Sequence, residues 1–188
     1  MHRTIVIAFS TLDGVVEDPV GTDGTANGGW AVHHGPQAIS GDKFKLGPVL
    51  DTGTLLLGRK TWQLFSHTFP QRTDEFSLAM NRIPKLVATT SLTDLSAWAN
   101  SRPLKGDLVD VVAEQQADRD VIVMGSASVV HALAERDLVD EYRVLVFPEL
   151  VGRGTRLFTE KTAPGQLRLL STEAAGPAAL LRYERATV

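Results

Sequence analysis

The 188-residue chain contains no cysteine. That excludes disulfides, thiolate metal sites and a cysteine nucleophile, and it fits a cytosolic setting. Cations are not in excess: 19 Lys and Arg stand against 22 Asp and Glu, a formal charge of −3. With no basic stripe, nucleic acid is not expected as a partner. No apolar run reaches the length of a membrane span, so no membrane partner is expected. The start, Met1-His2-Arg3-Thr4 followed directly by a strand-like run, lacks the long apolar core of a signal peptide. There is no internal repeat, no low-complexity tract, no G-x-G-x-x-G and no Walker lysine. What remains is a globular composition, 43% hydrophobic and 22% charged, read as one domain over residues 1–188 with a sizeable core.

The segment Asp120 to Arg136, D-V-I-V-M-G-S-A-S-V-V-H-A-L-A-E-R, organises the rest. Val121 to Met124 is a short, β-branched apolar run, which reads as a buried strand. Gly125 stops it, and Ser126, Ala127 and Ser128 are small, with serine a good helix N-cap. Val129, Val130, Leu133 and Ala134 then fall at helical spacing. A strand, a glycine turn and a helix start present free N–H groups and the positive end of a helix dipole, which suit an anion such as a phosphate. An ordinary turn without a ligand fits the same residues.

Thr4 to Ser10 is a first strand, apolar nearly throughout and so central. Asp13-Gly14 follows it as a turn. Asp13 is therefore placed just past a buried strand, either as a functional side chain or as a turn closer. Glu17 to Gly35 is a long glycine-rich loop of the kind that forms lids, with Trp30 either covering a ligand or plugging the core. His33-His34 has no matching carboxylate–histidine pattern, so no metal is expected. Gln37 to Thr52 is a poor helix, interrupted by Gly41, Gly47 and Pro48. Thr54 to Leu57 is a second strand, and it runs into Gly58-Arg59-Lys60-Thr61-Trp62 and a short helix ended by Pro70. Arg59 and Lys60 at such a turn suit a phosphate monoester or are two solvated cations.

Lys85 to Thr90 is a third strand running into Thr89, Thr90 and Ser91. Leu92 to Asn100 reads as a short turn or helix, and Leu108 to Ala113 as a short strand or a helix start. Arg143 to Phe147 is a further strand, followed by a loop with Gly152 and Gly154. Leu167 to Glu173 and Ala178 to Arg185 flank Gly176-Pro177 as a closing β-hairpin. The order predicts an α/β sheet, parallel in the middle with an antiparallel C-terminal edge. The strand-end turns would line one edge of that sheet, where ligands bind.

S-T-L-D-G, L-L-L-G-R-K-T-W, K-L-V-A-T-T, V-I-V-M-G-S-A-S-V-V and V-D-E-Y-R-V-L-V-F-P-E-L-V-G-R-G-T-R-L-F occur in that order. Together they resemble the dihydrofolate-reductase-like superfamily, in the branch related to the reductase domain of riboflavin biosynthesis. The resemblance implies a three-layer dihydrofolate-reductase-like fold, NADP(H) as cofactor, a cytoplasmic location and a homodimer. It implies that Gly58, Arg59, Lys60 and Thr61 hold the adenosine 2′-phosphate, with Thr89, Thr90 and Ser91 beside the adenosine end. It places Met124, Gly125, Ser126, Ala127, Ser128 and Val129 under the pyrophosphate and Ala8 and Phe9 along the nicotinamide. Leu12, Asp13 and Gly14 form the mobile loop over it, with Trp30 in the lid, and Thr155 supports that loop.

The implied activity is hydride transfer from NADPH to a small pteridine or aminopyrimidine-like substrate, similar to 5-amino-6-(5-phosphoribosylamino)uracil reductase. Asp13 is the candidate proton donor. Asp42 is the one early acid in the segment where dihydrofolate reductases carry theirs. The zinc deaminase domain of the bifunctional riboflavin enzyme needs H-x-E and P-C-x-x-C, which a cysteine-free chain cannot supply. Alternatives are an NADP-binding module without chemistry, a true dihydrofolate reductase and, with least support, a flavin reductase.

Overall fold

The computed structural model of the protein describes residues 2–186; Met1, Thr187 and Val188, and with Met1 the reading of the chain's start, lie outside them. The sheet is built outward from β1 (Thr4–Thr11). Its alternate side chains face opposite ways: Ile5 and Ile7 join one core and Val6 the other. The same split divides β2 (Thr54–Gly58), where Leu55 and Leu57 oppose Leu56, and β5 (Val121–Val123), where Ile122 opposes its neighbours. Strands buried on both faces read as unbroken apolar runs.

The remaining strands are β3 (Lys85–Ala88), β4 (Ser101–Pro103), β6 (Glu141–Phe147), β7 (Leu167–Ala175) and β8 (Ala178–Arg185). The order is β4-β3-β2-β5-β1-β6-β8-β7. β4 through β6 in that order are parallel, and β8 and β7 add antiparallel. This is the mostly parallel sheet with an antiparallel C-terminal hairpin expected from the sequence. Deep burial makes the centre costly to disturb: truncating Ile122, fully buried, to alanine costs about 2–5 kcal/mol.

Helices cover both faces. The short α1 (Val49–Thr52), α2 (Arg59–Thr68) and α3 (Glu75–Arg82) pack with the core of Trp30, Trp62, Met80 and Trp98. On the other face α4 (Leu108–Gln116) and α5 (Ala127–Ala134) bury Val112, Val129, Val130 and Leu133. The sequence does not show α3 or β4. The buried positions of α3 include Ser77 and Ala79, so its apolar period is weak. β4 has only three residues and ends in Pro103, tolerated there because β4 is an edge strand. Residues 108–116 settle as helix, with Asp107 accepting a bond from Val109 N at 2.9 Å.

At the end of the sheet where β1 and β6 begin, polar groups are paired. Glu141, fully buried, takes Arg3 at 2.8 Å, Arg143 at 2.7 Å and Arg182 at 2.8 Å. Burial works against its charge, but the arginines outweigh it and hold the carboxyl below its usual range. Arg143 also donates to the carbonyls of Phe44 at 3.1 Å and Lys45 at 2.5 Å. It thus fixes the irregular segment that Gly41, Gly47 and Pro48 keep from being a helix.

Candidate active site

At the opposite end of the sheet, β2, β5 and β1 finish side by side. A cavity of about 430 Å³ opens there. Its lining includes Ala8 and Phe9 of β1, Met124 and Gly125 after β5, Lys60 and Thr61 of α2, and Ser126, Ala127 and Ser128 at the start of α5. Gly58 sets the spacing between the two turns. Its N–H donates to Gly125 O at 2.8 Å. A Cβ on Gly58 would lie 1.8 Å from Ser126 Oγ and 2.8 Å from Ser126 N. Gly125 takes the left-handed backbone at φ +85°, which glycine adopts at little cost.

Both helices that begin here lack a side-chain cap. Gly58 at the N-cap of α2 has no side chain to offer, and Ser126 at the N-cap of α5 makes no cap bond. The first-turn N–H groups have no partner within the helix and carry the positive end of its dipole. Such a pair of ends is ready for an anion. By contrast, α3 begins at Asp74, whose carboxylate takes Ser77 N at 3.0 Å and Ser77 Oγ at 2.6 Å. A second pocket of about 350 Å³ is lined by Arg59, Thr89, Thr90, Ser91 and Gly106, among others. It offers one guanidinium among hydroxyls, a donor set that fits a phosphate monoester.

The loop Val16 to Asp23 forms another wall of the main cavity. Val16 N donates to Thr155 O at 2.8 Å, and Thr155 Oγ1 donates to Glu17 Oε1 at 3.0 Å. Gly154 permits this approach, since a Cβ there would meet Val15 Cγ1 at 2.9 Å. At its far end Asp23 Oδ2 pairs with Lys60 Nζ at 3.2 Å.

Several expected site residues sit elsewhere. Asp13 does not line the cavity. Its Oδ1 accepts from Thr11 Oγ1 at 2.5 Å and Val151 N at 3.3 Å, and its Oδ2 from Gly152 N at 2.7 Å. The Thr11 hydroxyl and then the Gly152 N–H hold its carboxyl at about 2, so near neutral pH it has no proton to give. Asp42 spends its two oxygens on Leu46 N at 2.9 Å and Gly47 N at 2.8 Å, and Phe44 lines the cavity in its place. Trp30 is 1% exposed and edge-on to Phe147, with Nε1 donating to Glu17 O at 2.9 Å; it plugs the core rather than moving as a lid. Leu12 and Gly14 line a different pocket, because the Asp13 turn folds back onto residues 149–152. Val129 faces the core beneath α5. Lys60 parts from Arg59 and faces the main cavity.

Further lining residues, which the sequence does not single out, are Glu17, Asp18 and Asp23 of the loop and Phe44, Leu64 and Phe65. The one signal available was the acid pair Glu17-Asp18 entering a glycine-rich stretch. Among the described residues, no group of three His, Cys, Asp or Glu is placed to hold a metal, and no helix is long and apolar enough to cross a membrane.

A mostly parallel sheet with an antiparallel edge, layered by helices, gives the chain a dihydrofolate-reductase-like fold. Within that class, the chain belongs to the RibD C-terminal domain family, whose model matches residues 3–181. It is similar to the uncharacterized protein YwjB of Bacillus subtilis (strain 168), 26% identical over 136 residues, covering 71% of this chain and 74% of that one. Among solved structures, a putative riboflavin biosynthesis protein from Shewanella sp. PV-4 superposes with a TM-score of 0.75 at 20% identity, over 98% of this chain and 99% of that one. Dihydrofolate reductase from Enterococcus faecalis, solved with NADP(H), superposes with a TM-score of 0.60 at 14% identity, over 98% and 97% of the two chains.

Proposed function

We propose that the protein is an NADPH-dependent reductase that transfers a hydride to a small planar heterocycle of the pteridine or aminopyrimidine kind. The observation that carries this reading is the pair of uncapped helix starts meeting at Gly58 and Ser126, with Arg59 and three hydroxyls in the next pocket. The first turn of α5 would hold the pyrophosphate. Arg59, Thr89, Thr90 and Ser91 would hold the 2′-phosphate end. Ala8, Phe9 and Thr155 line the part of the cavity left for the nicotinamide. The nicotinamide supplies the hydride when bound. The chain's own part is to orient the two rings and to keep water out beneath the Val16–Asp23 loop.

With Asp13 and Asp42 engaged elsewhere, the proton falls to Glu17. It lines the cavity, and among the described residues only one of its two oxygens takes a hydrogen bond, from Thr155. Glu17 orders the water that delivers the proton to the ring taking the hydride. The engagement of Asp42 weighs against a true dihydrofolate reductase. Oxidation of NADPH in the presence of pterins and aminouracils tests the reading. Turnover that falls at least tenfold in Glu17→Gln supports it, with NADPH affinity kept. Tight NADPH binding with no turnover on any ring supports a binding module instead.

We propose further that the chain forms a homodimer through the surface around β6 and β7. Leu12, Phe158 and Leu167, with 67%, 44% and 44% of their surface exposed, border an apolar pocket of about 410 Å³. Exposed apolar patches of this kind mark association surfaces. Light scattering should give a dimer for the native chain and a monomer for Leu167→Arg.

A further inference from the structure

The main cavity has two kinds of wall. One is the turn of Gly125 to Ser128. The other is apolar and aromatic, formed by Phe9, Phe44, Leu64 and Phe65. The Phe9 and Phe44 rings lie 5.2 Å apart at 34°. Faces of this kind stack on a flat ring.

Charge over the cavity comes from the loop. Glu17, Asp18 and Asp23 all line it. Burial works against the Asp18 charge, but bonds from Asp23 N, Thr25 N and Thr25 Oγ1 outweigh it and hold the carboxyl below its usual range. The basic side chains lining the cavity, among the described residues, are Lys60 and His131. Lys60 is paired with Asp23 at 3.2 Å, and His131 Nε2 lies 2.8 Å from Arg156 O.

Nearby arginines are also committed. Arg156 donates to the carbonyls of Asp13 and Gly152 and lines the apolar pocket instead. Arg143, behind Phe44, is buried against Glu141. A phosphate held in a protein wants a guanidinium, an ammonium or a set of N–H donors. A phosphate on the substrate would share the cavity with Glu17, Asp18 and Asp23, and like charges brought together cost affinity.

We infer that the substrate is an unphosphorylated planar heterocycle, neutral or cationic, and that Glu17, Asp18 and Asp23 select against its phosphorylated forms. This rests on the reductase reading above. The acidic loop and aromatic wall act as a specificity filter: the ring is gripped by stacking, and an anionic tail is turned away.

The test uses the full-length protein saturated with NADP⁺ and measures binding by thermal shift and calorimetry. The probes are a pterin, a diaminouracil, an aminouracil riboside and the 5′-phosphate of that riboside. The expected result is that the riboside binds more tightly than its 5′-phosphate by about tenfold or more. Asp23→Asn, which frees Lys60, and Glu17→Gln should each narrow that ratio. A 5′-phosphate that binds as tightly as the riboside overturns the inference, and so does a ratio unchanged in both variants. Failure of every ring to bind, while NADPH still stabilises the protein, also overturns it and leaves the cofactor assignment standing. If NADPH itself gives no shift, it is the reductase reading that fails.

Discussion

The two ends of the sheet treat polar groups in opposite ways. Where β1, β5 and β6 begin, they are matched: Asp120 takes Arg3 N at 2.7 Å, Asp140 takes Thr4 N at 2.7 Å, and Glu141 is ringed by three arginines. Where β1, β2 and β5 end, two helices start without side-chain caps. Meanwhile α3 and α4, whose starts line no part of the main cavity, are each capped by an aspartate. The four-residue α1, which also lines no part of the cavity, begins at Pro48 without a side-chain cap. Two uncapped helix starts that meet at a cavity offer their first-turn donors to a ligand. Changes at the saturated end should therefore lower stability, and changes at the open end should lower cofactor affinity.

The largest effect is expected at the saturated end. Glu141→Gln leaves three arginines short of their shared anion and should cost about 3–5 kcal/mol in urea denaturation, with NADPH affinity unchanged in the folded fraction. The sign of its pH dependence follows from its lowered folded pKa. The carboxylate's contribution is complete above the ordinary glutamate range and is lost as pH falls through the folded value. Denaturation curves taken down that acid limb should show a flatter fall for Glu141→Gln than for the native chain. A parallel fall would show that the Glu141 charge contributes nothing to stability.

The next effect lies at the open end. Gly58→Ala places a Cβ against the Ser126 backbone and should weaken NADPH binding by about a hundredfold, about 2.7 kcal/mol. Calorimetry that finds affinity intact would show that the two helix starts do not act together. Arg59→Ala should cost tenfold to a hundredfold for NADPH, about 1.5–3 kcal/mol for a charge-assisted bond, and much less for NADH. Equal losses for both cofactors would move the 2′-phosphate away from Arg59. The smallest effect is at the capped helices. Asp74→Ala and Asp107→Ala should each lower the melting temperature by a few degrees and leave cofactor affinity alone.

The sheet was legible because its centre is made of unbroken apolar runs, and the hairpin because Gly176-Pro177 separates two strand-like stretches that mix apolar and polar residues. The turn at Gly125 was legible for the same reason, a glycine directly after a strand. What failed were residues whose role is decided by distant partners. Asp13 follows a buried strand, as a working carboxylate often does, but its bond to Gly152 spans 139 positions and fixes it as a brace. Trp30 sits in a glycine-rich loop that looks free to move, yet the ring reaches Phe147 in the core. Glu17 and Asp23 come into the site through Thr155 and Lys60, contacts that periodicity and turn chemistry do not report.

The most direct test of the open end is a thermal-shift titration of the native protein with NADPH and NADH side by side. A ligand that binds only the folded state adds RT ln(1 + [L]/Kd), about 2.7 kcal/mol at a hundred times Kd. A clear, saturable rise is expected with NADPH and little with NADH. No rise with either would contradict that expectation, and the uncapped helix starts would then have no ligand to explain them.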